Sequence, residues 1–233
     1  MATAKISKKA MAQDEFIEGV FDFGEWLEVH WKRVAIGLGV AIALVFVGIF
    51  WNSMRETATA EANALLASGL DAYSPAAGSD GQNAAPRYSE ALTFFEQAEK
   101  RGGSGALTDV ARLFRARTLL ALSRGAEAVP VLTGLTASGH EAIAAEAKVA
   151  LAEAVETTGD AERAAGLLRE VATAAKPSYP QDAALLLLGG LRERQGKKDE
   201  AKRVYDDLLA KFPQSAFASD AKQRSTALTG AAH

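Results

Sequence analysis

The sequence predicts an all-α protein: a single transmembrane helix followed by an α-solenoid of about four helix pairs. Three observations carry this reading. Residues 34–54 hold no charged side chain, although Arg33 and Arg55 flank them directly. Alanine fills 49 of the 233 positions, and Leu, Glu, Lys and Arg supply much of the rest, so helix formers dominate and β-branched runs are scarce outside one segment. A small residue followed four positions later by a bulky one recurs at Ala91/Phe95, Ala128/Leu132, Ala164/Leu168 and Ala201/Tyr205, at intervals of 37, 36 and 37 residues.

Composition excludes several classes of function. There are 26 Lys and Arg against 29 Asp and Glu, a net charge of −3, which argues against a general nucleic-acid binder. The absence of cysteine rules out disulfides, thiolate zinc sites and cysteine nucleophiles. Three scattered histidines leave little for a metal centre. No nucleophile elbow, H-E-x-x-H or phosphate loop occurs, and the GGSG at Gly102–Gly105 lacks the Lys and Ser/Thr that would hold a phosphate. Asp206-Asp207 and Lys197-Lys198 sit at exposed helix or turn positions, where no pocket would shift their pKa values. The expectation is a protein that is not an enzyme, with no cofactor, no nucleic acid and no small-molecule substrate.

The N-terminal piece, residues 1–33, begins with a basic leader, Met1 to Met11. Gln13 to His30 then reads as an amphipathic helix, with Phe16, Val20, Phe23 and Leu27 on one side and Glu15, Glu18, Asp22 and Glu25 on another. Anionic lipid would repel its six acids. Two readings stay open, a docking helix for a cytoplasmic partner and a solvated extension of the helix that follows.

That next helix is the membrane span, 34–54. Its 21 residues reach about 32 Å as a helix, enough for a hydrocarbon core of about 30 Å. Eleven Val, Ile, Leu and Phe among the first 17 residues favour insertion by roughly 3–7 kcal/mol, and no charge opposes them. Trp31 and Trp51 bracket it at headgroup depth. A cleaved signal peptide fits less well, because the apolar run is too long and Arg55-Glu56 intervene before the Ala58-Thr59-Ala60 triplet. Ala35, Gly39 and Ala43 repeat every four residues and form a candidate helix-packing face. Lys5, Lys8, Lys9, Lys32 and Arg33 precede the span, while only Arg55 follows within twenty residues. The positive-inside rule therefore expects a cytoplasmic N-terminus and Glu56 to His233 on the far side of a membrane crossed once; in a Gram-negative bacterium this is the inner membrane and that side is the periplasm.

Residues 56–228 form the expected repeat domain, with 229–233 a frayed end. Ala98, Leu135, Val171 and Leu208 follow the bulky residues by three positions and extend one buried face per helix. Partner helices precede three of these segments, carrying Leu113/Ala116, Leu151/Ala152 and Leu185/Leu188/Gly189. Turns at Ser123-Arg124-Gly125, Thr158-Gly159-Asp160 and Gly196-Lys197-Lys198-Asp199 separate the two helices, each glycine suited to a left-handed C-cap. In the first unit Ser74 to Pro86 reads as an exposed loop. Pro213 stops the last paired helix, and Ser215 to Leu228 reads as a capping helix. Tyr73, Phe94 and Phe95 read as core.

This pattern resembles the tetratricopeptide repeat. The last unit matches best, through Leu188-Gly189, Ala201, Tyr205, Leu208 and Pro213. The order of short acidic helix, span and degenerate repeats, with DEFIEGVFDFGEWLEVHWKRVAIGLGVAIALVFVGIFWNS at its head, resembles the YfgM-like family. That resemblance implies a single-pass inner-membrane protein associated with the SecYEG translocon and with periplasmic chaperones such as PpiD. Its partners would be translocon subunits, a periplasmic chaperone and exported chains. An envelope-assembly or division scaffold with the same fold is the alternative.

The first helix of each repeat is expected to line a protein-binding groove. Its candidate residues are Val110, Leu113, Arg117 and Leu120 in repeat two, Glu146, Val149, Glu153 and Glu156 in repeat three, and Leu186, Glu193 and Arg194 in repeat four. The expected groove has apolar patches and an acidic middle.

Overall fold

The computed structural model describes residues 57–74, 76 and 81–230. The expected cytoplasmic segment, the 34–54 span and the Ala35, Gly39, Ala43 packing face lie outside the described residues. Among the described residues no helix is long and apolar enough to cross a membrane.

Among the described residues the regular elements are all helices, and there is no strand. Helix α1 covers 57–74. It is followed by α2 (Gly81–Gly102), α3 (Ala106–Ala121), α4 (Gly125–Leu135), α5 (Glu141–Thr157), α6 (Ala161–Ala172), α7 (Gln181–Arg194), α8 (Lys198–Lys211) and α9 (Ala218–Gly230). From α2 onward each helix packs on the next in sequence, and α3 also touches α5. This is the contact pattern of stacked helix hairpins, paired α1/α2, α3/α4, α5/α6 and α7/α8, with α9 closing the stack.

The register read from the sequence marks the buried face. Ala91, Ala128, Ala164 and Ala201 are completely buried, as are Phe95, Leu132 and Tyr205, while Leu168 is 5% exposed. Ala98, Leu135, Val171 and Leu208 are buried one turn further on. Each bulky side chain sits sixteen positions after a small residue of its partner helix: Leu132 after Ala116, Leu168 after Ala152, Tyr205 after Gly189. The aromatic cases show why that residue is small. A Cβ added at Gly189 would lie 2.3 Å from Tyr205 Cε1, and one at Gly69 would lie 2.5 Å from Phe95 Cε1. Glycine therefore stands opposite an aromatic ring, and alanine holds the same position where the second helix offers leucine.

The first hairpin differs from the sequence reading in two ways. It keeps the small–bulky pairing through Gly69, which the longer connection to Phe95 hides. Its loop is also shorter than Ser74 to Pro86, because α2 begins at Gly81 and takes Pro86 as its sixth residue. Pro130 occupies the sixth position of α4. So early in a helix a proline forfeits one backbone bond to the preceding turn while much of that turn is free of such bonds.

The three later hairpins close with one turn geometry. Arg124, Asp160 and Lys197 N–H groups donate to the carbonyls of Leu119, Val155 and Arg192, at 2.8–3.0 Å. Ser123, Gly159 and Gly196 N–H groups donate to Leu120, Glu156 and Glu193, again at 2.8–3.0 Å. This is the Schellman pattern, which puts its penultimate residue in the left-handed region. Gly159 (φ 96°) and Gly196 (φ 73°) satisfy it without strain. In the second repeat the left-handed residue is Ser123 (φ 59°) and not Gly125. Gly125 instead begins α4, where an added Cβ would lie 2.3 Å from Thr157 Oγ1 at the end of α5. Its smallness serves packing between repeats.

The capping helix starts at Ala218, three residues later than expected, and runs to Gly230. Ser215 Oγ accepts from the Phe217 N–H at 3.0 Å and donates to Asp182 Oδ2 at 2.6 Å. That local turn delays the helix and fastens it to the start of α7. Ser138 does the same between repeats, donating to Asp109 Oδ2 at 2.6 Å and accepting from the His140 N–H at 3.1 Å.

Two stability outcomes follow from these contacts. Gly189→Ala is expected to destabilise by about 1–3 kcal/mol through overpacking against Tyr205. Adding Tyr205→Leu, which copies the Ala/Leu pair of the middle repeats, should recover part of the loss, with a coupling of at least about 0.5 kcal/mol in denaturant titrations. Additive losses would contradict the pairing. Ser123→Gly should raise stability by about 0.5–1 kcal/mol by relieving the left-handed serine; an unchanged denaturation midpoint would contradict it.

Candidate functional site

The first helices of successive hairpins share one face, and a groove of about 570 Å³ opens on it. Leu113 of α3, Ala142, Ile143 and Glu146 of α5, Ala183 of α7 and Phe217 before α9 line it, with Ser178, Tyr179 and Pro180 from the α6–α7 connection. The lining is largely apolar. Its one acid, Glu146, is ion-paired to Arg117 of α3, the first helix of the preceding hairpin.

That pair is one rung of a ladder along the face. Arg194 of α7 grips Glu156 of α5 through two bonds, Nε–Oε1 at 2.7 Å and Nη2–Oε2 at 2.9 Å. Arg224 of α9 reaches Glu193 of α7 at 3.0 Å and Asp220 on its own helix at 2.9 Å. Glu193 also accepts from the Tyr205 hydroxyl at 2.7 Å. Burial of the Tyr205 ring, reinforced by the Glu193 carboxylate, pushes its phenol well above the ordinary value. Between α1 and α3 the rung is aromatic: Tyr73 stands edge-on to Phe114 with ring centroids 5.7 Å apart. Tyr73 also meets Tyr88 at 5.5 Å and Phe95 at 6.4 Å. Each exposed ion pair is worth no more than about 1 kcal/mol, so the ladder fixes the register of neighbouring repeats and adds little to stability.

The residues expected to line the groove fall into three groups, with Glu153 apart. Leu113 and Glu146 line it. Arg117, Glu156, Glu193 and Arg194 form the ladder beside it. Val110 is half-buried, Val149 is buried in the core, and Leu120 and Leu186 pack against that core. The acidic middle is therefore mostly neutralised. Its partner cations arrive from 29 to 38 residues away, beyond the reach of local charge patterning. Glu153 is exposed and has no ion-pair partner among the described residues.

Sequence reasoning missed Ala142, Ile143, Ala183 and Phe217. Stepping back one turn from Glu146 and from Leu186 would have reached Ile143 and Ala183; Phe217 belongs to the turn before the cap and carries no repeat signal. It also missed Leu187, the one large hydrophobic residue among the described residues with high exposure, at 41%. Leu187 falls on one helical stripe with Ala183 and Arg194.

Away from the groove a buried guanidinium locks the last two repeats together. Arg192 of α7 is 4% exposed. It bonds Glu162 of α6 at 2.7 Å, Glu200 of α8 at 3.1 Å and Gln195 at 2.6 Å. Lys197 adds a second contact to Glu162 at 2.6 Å. Hydrogen bonds from Arg192 and then Lys197 hold the Glu162 carboxyl down at about 2.

Among the described residues no cluster of three or more His, Asp and Glu is placed to hold a metal ion. Stacked hairpins with an apolar groove on the shared face of their first helices define a helical-repeat protein. The tetratricopeptide repeat family matches residues 183–215, which span α7, α8 and the Ser215 turn. This is the unit whose Gly189, Ala201, Tyr205 and Pro213 carry the resemblance in the sequence. Repeats of this kind act as protein–protein interaction adaptors and are typically non-catalytic, so the partners implied are proteins. Comparison with curated proteins finds no match.

The Glu162 pKa gives a pH dependence with a definite sign. Its value is lowered from 4.5 in the free group, so the stabilisation is complete above pH 4.5 and is lost as pH falls towards 2. Glu162→Gln should flatten the melting-temperature profile over that acid interval relative to the parent chain. An unchanged acid limb would remove Glu162 from the account.

Proposed function

We propose that this chain is a membrane-anchored adaptor whose helical array stands in the periplasm and receives segments of other proteins in the groove beside Leu113, Ile143 and Phe217. The translocon and a periplasmic chaperone are the proposed neighbours, and exported chains the proposed cargo. The observation that carries the reading is the groove itself: an apolar cleft on the shared face of the first helices, whose only acid is already paired. The uncharged 34–54 segment and the bias of Lys and Arg towards its N-terminal side support the anchor and its direction. The resemblance of residues 14–53 to the YfgM-like family supports the neighbours. Segments with an acidic C-terminal tail fit poorly, because the arginines of the ladder, Arg117, Arg194 and Arg224, are already paired.

Three readouts test this. Protease added outside spheroplasts should digest the array and spare the N-terminal segment; protection of the array contradicts the proposed orientation. A photoreactive residue at Gly39 should yield adducts with translocon channel subunits. Adducts with division or envelope-assembly proteins instead would move the assignment to the alternative scaffold. Acidic C-terminal peptides should bind more weakly than micromolar, and micromolar binding contradicts the groove chemistry.

A further inference from the structure

Glu153 lies on the same side of α5 as the groove, and none of the contacts described above uses it. Its carboxylate is exposed and has no ion-pair partner among the described residues. Burial above all raises the Tyr73 phenol of α1, and Glu153 stands close enough for its charge to add to that rise, against the opposing charge of Arg117 of α3. The guanidinium groups of the ladder are committed: Arg117 to Glu146, Arg194 to Glu156, Arg224 to Glu193 and Asp220. Three guanidinium groups therefore stand among five carboxylates: Arg224 is shared by Glu193 and Asp220, and the carboxylate that no cation pairs, exposed in mid-face, is Glu153.

The positions of groove and carboxylate set a spacing. From the lining residues Ile143 and Glu146 to Glu153 the helix advances about 10–15 Å. An extended chain covers about 3.3 Å per residue, so a segment laid along α5 spans that distance in three to five residues. The groove is apolar and accommodates a large side chain; the charge beside it is negative.

We propose that this face selects an extended protein segment carrying one large apolar side chain and, three to five residues away, a lysine or arginine. The apolar side chain enters the groove between Ile143, Ala183 and Phe217, and the cation pairs with Glu153. The inference rests on the adaptor reading and adds the chemistry of the segment that the adaptor prefers. Selection is by pattern: the groove alone accepts any apolar side chain, and Glu153 biases that choice towards basic neighbours and against acidic ones.

The test uses the full-length protein in detergent and short fluorescent Gly/Ser peptides. One peptide carries Phe and Arg at the proposed spacing, a second Phe and Glu, a third Phe alone. Fluorescence anisotropy at low salt should rank Phe–Arg first, about tenfold tighter than Phe–Glu. Glu153→Gln should cost the Phe–Arg peptide about fivefold, the size of an exposed ion pair, and leave the Phe peptide unchanged. Glu153→Lys should invert the ranking. Ala142→Asp, at an exposed groove-lining position, should weaken all three, with an unchanged circular dichroism spectrum showing that the array is intact. Equal affinity for the Arg and Glu peptides, or an Arg preference that survives both Glu153 variants, overturns the selection rule while leaving the adaptor reading in place. If no peptide binds, or Ala142→Asp changes nothing, the adaptor reading falls with it.

Discussion

The structure depends on how closely the two helices of each hairpin can approach. That distance is set where a small residue of the first helix meets a bulky residue of the second. The contact has two solutions here. The terminal hairpins pair glycine with an aromatic ring, Gly69 with Phe95 and Gly189 with Tyr205, while the middle hairpins place Ala116 and Ala152 at the position that matches Leu132 and Leu168. Tyr205 and Phe95 are the largest fully buried side chains among the described residues. A hairpin at the end of a stack has a paired repeat on one side only.

The consequences appear on the face where first helices meet. With hairpin spacing fixed, residues of neighbouring repeats come within ion-pair distance, and the Arg117–Glu146, Arg194–Glu156 and Arg224–Glu193 rungs form. Each rung contributes little energy but removes a charge from the surface. Among the described residues of that face, the apolar groove, the exposed Leu187 and the unpaired Glu153 are left to meet a partner. On the other side Arg192 is buried between α6, α7 and α8 and is satisfied by Glu162, Glu200 and Gln195. A buried guanidinium with all these partners costs much to break, so it holds the last two hairpins in one alignment.

Much of the fold was legible because the repeat imposes a fixed spacing on residues whose size is itself the signal. Ala91/Phe95 and its three successors name the buried face directly, and Gly159 and Gly196 name two of the turns. Less of the site could be read. Its ion pairs join helices from different repeats, so Glu146 or Glu156 looks like a free acid until the stack is assembled. In the second repeat Ser123 takes the left-handed position, while Gly125 packs against Thr157, a contact between repeats that no local pattern reveals. Gly69 was hidden by the longer connection of the first hairpin. Phe217, which closes the groove, lies in a non-repeating turn.

The central claim is that the array works through the shared face of its first helices. Photocrosslinking in intact cells from two positions of the full-length chain tests it most directly: Leu187, exposed on the groove-bearing face, and Arg203, exposed on α8. The account predicts discrete protein adducts from Leu187 and none above background from Arg203. Equal adduct yields from both positions, or adducts from Arg203 alone, would contradict it.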